Sequence, residues 1–417
     1  MIARTVVLGG LSHLRAGRLT VVEGDRRHAF GAGAPAATVV IRDPRAWPLL
    51  LRGSRGMAEA YRDGLWDSPD VVAVIRVAAR NVTALDAARR RIRVVREPWQ
   101  RARERLVRNT PSRSRRDIAA HYDLGNGLFE AMLDPTLTYS CGIFERPGAS
   151  LEEASLAKLE AVCRKLDLGP GDHVLEIGSG WGSFALYAAR TRGSRVTTTT
   201  ISPEQHAVAS ARVRAAGLGD RVEVLLRDYR ELRGRFDKLV SIEMIEAVGP
   251  RDFGTFFACC SDRLEPNGSM LLQAITIDDR AYSVERTSRS FIRTHIFPNG
   301  CLPSAAVIAD AVAHRTDLRA VHAEELTPHY VETLRRWRAN FEAAAGHLDG
   351  LGYDERFRRL WRLYLAYCEA GFAEHRINLV QVVLAKPRWG GAVAWTGLGR
   401  PAHIGSQRGT GTVASAG

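Results

Sequence analysis

No apolar run in the sequence approaches the length needed to cross a bilayer. The opening stretch, MIARTVVLGGLSHLRAG, has too short an apolar core for a secretory signal, so a cytoplasmic protein is expected. The six cysteines (Cys141, Cys163, Cys259, Cys260, Cys301 and Cys368) never fall into CxxC spacing. That argues against a zinc site and against a disulfide framework, and leaves most of them as buried thiols. What remains is ordinary for a globular chain: 417 residues, 45% hydrophobic and 25% charged. That length accommodates two or three domains.

Charge is present but unevenly placed. The formal net charge is +13. Residues 89–116 hold twelve arginines against two glutamates, Glu97 and Glu104. The rest of the chain is left with only about +3. One short segment therefore sets the electrostatics, and its natural partner is densely anionic: a nucleic acid or an anionic membrane surface. A solvated linker helix is the plainer reading of the same residues.

The pattern along the chain divides it into an amino-terminal domain (1–85), a basic linker (86–116), a main domain (117–388) and a Gly/Ser/Thr-rich tail (389–417) expected to be disordered. In the first region Trp66, Val71, Val72, Val74 and Ile75 recur at helical spacing. In the main domain, short apolar runs predict strands at 173–178, 195–201, 222–227, 236–242, 268–276, 318–324 and 376–385. Helical patterns predict helices at 182–192, 203–216, 250–264, 303–313, 328–346 and 353–372. Alternating strands and helices predict an α/β fold, a doubly wound Rossmann-like sheet covered on both faces.

The run HVLEIGSGWGSFALYAA, residues 173–189, joins a predicted strand to a predicted helix. Gly178, Gly180 and Gly182 give G-x-G-x-G, but Ser183 stands where a third dinucleotide glycine belongs. The next strand, RVTTTTIS, lacks the acidic ribose partner, which disfavours NAD. No Walker lysine follows, which removes a phosphate loop. S-adenosylmethionine fits better: it needs close backbone approach, which glycine permits, and no phosphate cradle. Glu176 precedes the turn, placed to draw the cofactor's ammonium or an ordered water.

Further motifs flank the turn: AAHYDLGNGLFEAMLDPTLTYSCGIFE upstream, then VSIEMIEAVGP and IFPNGCLPS downstream. Together these resemble the cyclopropane-fatty-acyl-phospholipid synthases and mycolic-acid cyclopropane synthases over nearly all of 116–387. A weaker likeness at 45–85 is to the amino-terminal domain of the phospholipid-acting members. The resemblance implies a class I methyltransferase fold with helical insertions. It also implies S-adenosylmethionine contacts at Tyr139, Ser140, Glu176, Gly178, Gly180, Gly182, Thr200, Ile201, Gln205, Asp228 and Tyr229. A bicarbonate ion would act as base, held at Cys141, Glu246, the Ile275 backbone and Tyr330. Two positions depart from the family's pattern: Ala247 replaces a histidine after Glu246, and Gln273 replaces a histidine in the strand. Gln can hydrogen-bond but cannot take up a proton near neutral pH.

The implied reaction adds a one-carbon unit to the cis double bond of an unsaturated phospholipid. It passes through a carbocation that must be kept from water. Loss of a proton then gives a cyclopropane, or, after a hydride shift, a methylene group on the way to a methyl branch. Gln273 is expected to favour the branching outcome. The enzyme is expected to sit peripherally on the inner membrane face. A homodimer and a downstream reductase stay open as partners. Plainer roles compete at single positions: Cys141 as a core thiol, Glu246 as a cap, and Tyr330 as packing. The apolar recurrence Trp337, Phe341, Leu360, Trp361, Leu363 and Tyr364 serves equally as helix core or tunnel wall. The alternative, an RNA or DNA methyltransferase, lacks the D/N-P-P-Y/F tetrapeptide, and the basic stretch has only Trp99 for base stacking, so no nucleic acid is expected.

Overall fold

The structure, a computed structural model, describes residues 2–82, 125–288, 290–298, 300–394, 397 and 399–402. The basic linker expected at 86–116 lies outside the described residues.

The amino-terminal residues build a four-stranded sheet from β1 (Gly17–Glu23), β2 (Arg26–Ala32), β3 (Ala36–Ile41) and β4 (Trp66–Asp67), in the order β2-β1-β3-β4. Alternation along β1 and β3 turns Leu19, Val21, Ala37, Val39 and Ile41 to one buried face. The helix Val71–Arg80 covers that face, its first turn capped by the Asp70 side chain accepting from the Ala73 N–H. Trp66, expected on this helix, lies instead in β4, although it is buried in the same core. Its indole N–H donates to the Met57 carbonyl, which holds it one turn short of the helix.

The second sheet has eight strands in the order β12-β10-β11-β9-β8-β5-β6-β7. These are β5 (His173–Ile177), β6 (Arg195–Thr200), β7 (Val222–Leu226), β8 (Phe236–Ile242), β9 (Leu264–Ile277), β10 (Arg319–Glu325), β11 (Ile377–Ala385) and β12 (Arg400–Pro401). β5 to β9 run parallel, and β11 runs antiparallel to both β9 and β10. Separate apolar clusters cover the two faces. One includes Phe256, Phe257 and Ile308; the other includes Leu159, Val162 and Phe184. This is the doubly wound sheet expected from the alternation. Within the expected tail, Arg400–Pro401 pair with Glu324–Glu325, so that stretch is not uniformly without structure.

Chain order reverses on either side of β5, and the crevice at such a switch point is where open α/β sheets bind ligands. The two sheets are clamped together by Arg359 on the helix Glu355–Ala373. Its guanidinium donates to the carbonyls of Tyr61 (2.6 Å) and Trp66 (3.0 Å) and to Asp67 Oδ2 (3.2 Å), and lies 4.1 Å over the Tyr61 ring. Arg76 and Arg80 both close on Glu374, at 2.7 and 2.5 Å.

Candidate active site

The glycine turn opens at the carboxyl end of β5. Gly178, Gly180 and Gly182 have φ of 99°, 50° and 86°, a region that side chains rarely adopt. A Cβ on Gly178 would stand 3.1 Å from the Met244 side chain. The turn thus leaves a backbone cradle facing a cavity of about 1320 Å³. Tyr139, Ser140, Glu176, Thr200, Ile201, Gln205, Asp228, Tyr229, Glu246, Ile275 and Tyr330 all line this cavity with Gly178 and Gly180, while Gly182 caps the following helix outside the lining. Cys141 and Gln273 stand behind the wall, fully buried.

Several of these groups are already fixed. Thr200 Oγ1 donates to Gln205 Oε1 (2.8 Å). Asp228 accepts from the Arg230 guanidinium at 2.8 and 2.7 Å, and the Tyr229 ring packs on Phe256. Tyr139 shares a hydrogen bond with Tyr364 (2.8 Å) and leans against Trp337. Lys158, not foreseen from the sequence, is buried and donates to Ser140 Oγ at 2.9 Å. Glu176 differs: it is buried, and its Oε2 has no partner. Burial pushes its carboxyl up to about 8. A buried acid with one unpartnered oxygen beside a glycine cradle is suited to a cationic ligand.

A second group of residues surrounds a carboxylate that the sequence did not single out. Glu243 directly follows β8, with φ of 51°. Its Oε1 accepts from the Cys141 N–H (3.0 Å) and Gln273 Nε2 (2.7 Å), and its Oε2 from the Tyr330 hydroxyl (2.5 Å). The Ile275 N–H donates to Glu246 Oε1 at 2.5 Å, while Glu246 Oε2 has no partner. Burial, and then the nearby Glu243 charge, push Glu246 up to about 8. The Cys141 thiol is raised well above its ordinary value by burial, so its backbone and not its sulfur serves the site.

Residues 109–382 match the family model described as mycolic acid cyclopropane synthetase. The chain belongs to this family. It is 39% identical over 376 residues to the tuberculostearic acid methyltransferase of Mycobacterium tuberculosis, covering 88% of this chain and 87% of that one. It is 36% identical over 361 residues to the cyclopropane-fatty-acyl-phospholipid synthase of Escherichia coli, covering 85% and 89%. Among solved structures, a mycolic acid cyclopropane synthase complexed with SAH and CTAB superposes with a TM-score of 0.61 at 31% identity, over 65% of this chain and 98% of that one.

The protein is therefore an S-adenosylmethionine-dependent methyltransferase of a family that modifies lipid acyl chains. The residues at the turn fit the cofactor: three side-chain-free positions, a wall of polar groups and an unpartnered acid. The bicarbonate ion expected at the same site does not fit. Of the groups assigned to it, the Cys141 N–H and the Tyr330 hydroxyl donate to Glu243, and the Ile275 N–H donates to Glu246, itself the remaining assigned group. Sequence reading missed Glu243 because the family motif carries its acid three positions later. Only the fold brings it to Gln273: Ile242, the residue before it, pairs with Gln273 across β8 and β9.

Proposed function

We propose that the protein transfers the cofactor's methyl carbon to the cis double bond of an unsaturated phospholipid acyl chain. The observation that carries this reading is the extent of the cavity. It runs from the glycine turn past Tyr330 and Tyr364 into the amino-terminal domain, where Leu19, Val21, Val39 and Trp66 line it. A space of about 1320 Å³ bordered by two domains and largely apolar suits a lipid tail and not a polar nucleobase.

S-adenosylmethionine, when bound, supplies an electrophilic sulfonium methyl. The glycine turn and Glu176 hold its polar ends. The rings of Tyr139, Trp181 and Tyr330 face the cavity, where π faces steady a developing carbocation without bonding to it. The apolar lining keeps water from trapping that cation as an alcohol. No step is assigned to bicarbonate. The product is a methylene-bearing chain in preference to a cyclopropane. Gln273 supports this because it cannot serve as a proton carrier, and so does the likeness to a relative named as a tuberculostearic acid methyltransferase. The arginine segment 89–116 supplies the anionic-membrane contact by charge.

The test is product identification. The purified chain receives methyl-labelled cofactor and vesicles of dioleoyl phosphatidylglycerol, and the lipids are read by mass spectrometry. Labelled lipid carrying an added methylene is expected, and vesicle binding should weaken with salt. Label in added RNA or DNA with none in lipid would end this reading. A cyclopropane without methylene would remove the product preference alone.

A further inference from the structure

The Glu243 carboxylate is half-buried, lines the cavity, and is gripped by three donors from three separate parts of the fold. Those donors are oriented from behind. Lys165, buried and ion-paired with Glu324, can only donate, and it donates to Gln381 Oε1 at 2.5 Å. Gln381 must then present its amide N–H₂, which donates to Gln273 Oε1 at 2.7 Å. Gln273 in turn has only its own N–H₂ left for Glu243. Gln381 and Gln273 are direct cross-strand partners on β11 and β9, so the register of the sheet maintains the relay. One end of a four-residue polar chain thus decides that position 273 offers a donor, and the residue placed to accept it is an acid.

The acid is also held at a cost. Non-glycine residues rarely take φ near 51°, and such strain gathers at functional sites. Tyr330, which closes on the other oxygen, stacks on Phe372 with ring centroids 4.3 Å apart, so it too is fixed.

We infer that Glu243 is the base of the reaction, a carboxylate built into the chain at the place where the family resemblance set a bicarbonate ion. The inference rests on the lipid-methylation reading above. In the step it performs, the methyl carbon has bonded to one alkene carbon and its bond to sulfur has broken. The cation stands on the acyl chain. Glu243 takes a proton from the transferred carbon. With the cation still on the neighbouring chain carbon the C–H electron pair closes a three-membered ring; once a hydride shift has moved the cation to the methyl-bearing carbon it closes as the exocyclic double bond, and in either case the carboxylate becomes a carboxylic acid. No oxidant, reductant or dissolved anion enters the balance. Tyr330, Gln273 and the Cys141 N–H are positioning groups that aim the carboxylate and favour its ionised form. Burial raises the Glu243 carboxyl, which strengthens it as a base, and Lys158 opposes that rise.

The experiment compares the full chain in carbonate-free buffer under inert gas with the same buffer plus bicarbonate. Methyl-labelled cofactor and dioleoyl phosphatidylglycerol vesicles are supplied in both. Wild-type lipid labelling at the same rate in both buffers is expected. E243Q should lose about a hundredfold or more in rate, as for removal of a general base, while binding S-adenosylhomocysteine within a few-fold of wild type. E243G, with the carboxylate removed and the backbone relaxed, should regain rate when bicarbonate or formate is added. Wild-type labelling only when bicarbonate is present, or E243Q at wild-type rate, overturns the inference while leaving lipid methylation standing. No lipid label from wild type in either buffer overturns both.

Discussion

Glu176 and Glu246 are acids that each hold one buried, unpartnered oxygen, and both are raised to about 8. At neutral pH each is mainly protonated in the free protein. A cationic cofactor beside Glu176 favours the carboxylate, so binding near pH 7 releases a proton. Cofactor affinity should therefore rise with pH, by at most about tenfold per unit, and level off above about pH 8. Calorimetry in buffers of different ionisation enthalpy reads the proton directly, and Glu176→Gln should flatten the profile. At this scale the sequence was legible where one residue type had one use: glycines at a turn, or an acid at a strand end. It was not legible for Glu243, whose meaning depends on Gln273 from another strand and on Gln381 behind that. Lys158 was hidden for a related reason, since a lysine on a helix ordinarily points to water.

Among the elements, β5 and the end of β8 were readable from short apolar runs, and β6 from its row of β-branched threonines. The helix Leu151–Lys165 was not read, although Ser150 and Glu153 form a capping box at its start. Buried Lys158 and Lys165 interrupt its apolar stripe, so its periodicity is blurred. The first three strands escaped too: β2 is mostly exposed and carries no alternating apolar pattern. The seam between the sheets is an element-scale feature with a measurable strength. Arg359→Ala removes two carbonyl bonds, an ion pair and a stacked ring at once. Charge-assisted bonds of this kind contribute about 1.5–3 kcal/mol each when buried. A loss of roughly 2–4 kcal/mol is expected, read as a lower denaturant midpoint and faster proteolysis within 45–82. An unchanged midpoint would show that the seam is held elsewhere, for instance at Glu374.

For the whole molecule, neither domain encloses the cavity alone: Ala78 and Val39 border it from one side, Tyr330 and the glycine turn from the other. Among the described residues no helix is long and apolar enough to cross a membrane. Ala78→Trp narrows the amino-terminal end and should slow turnover of long-chain lipids about tenfold while sparing cofactor affinity. Mass spectrometry of a mixed-lipid reaction would read this as a shift toward substrates with a shorter stretch beyond the double bond, and an unshifted product spectrum would count against the tail reaching that far. The shared cavity has a geometric consequence. On the proposed lipid reading, with the reacting centre in one domain and the end wall in the other, the distance between them would act as a ruler, and the spacing of the two halves would set regiochemistry along an otherwise featureless hydrocarbon.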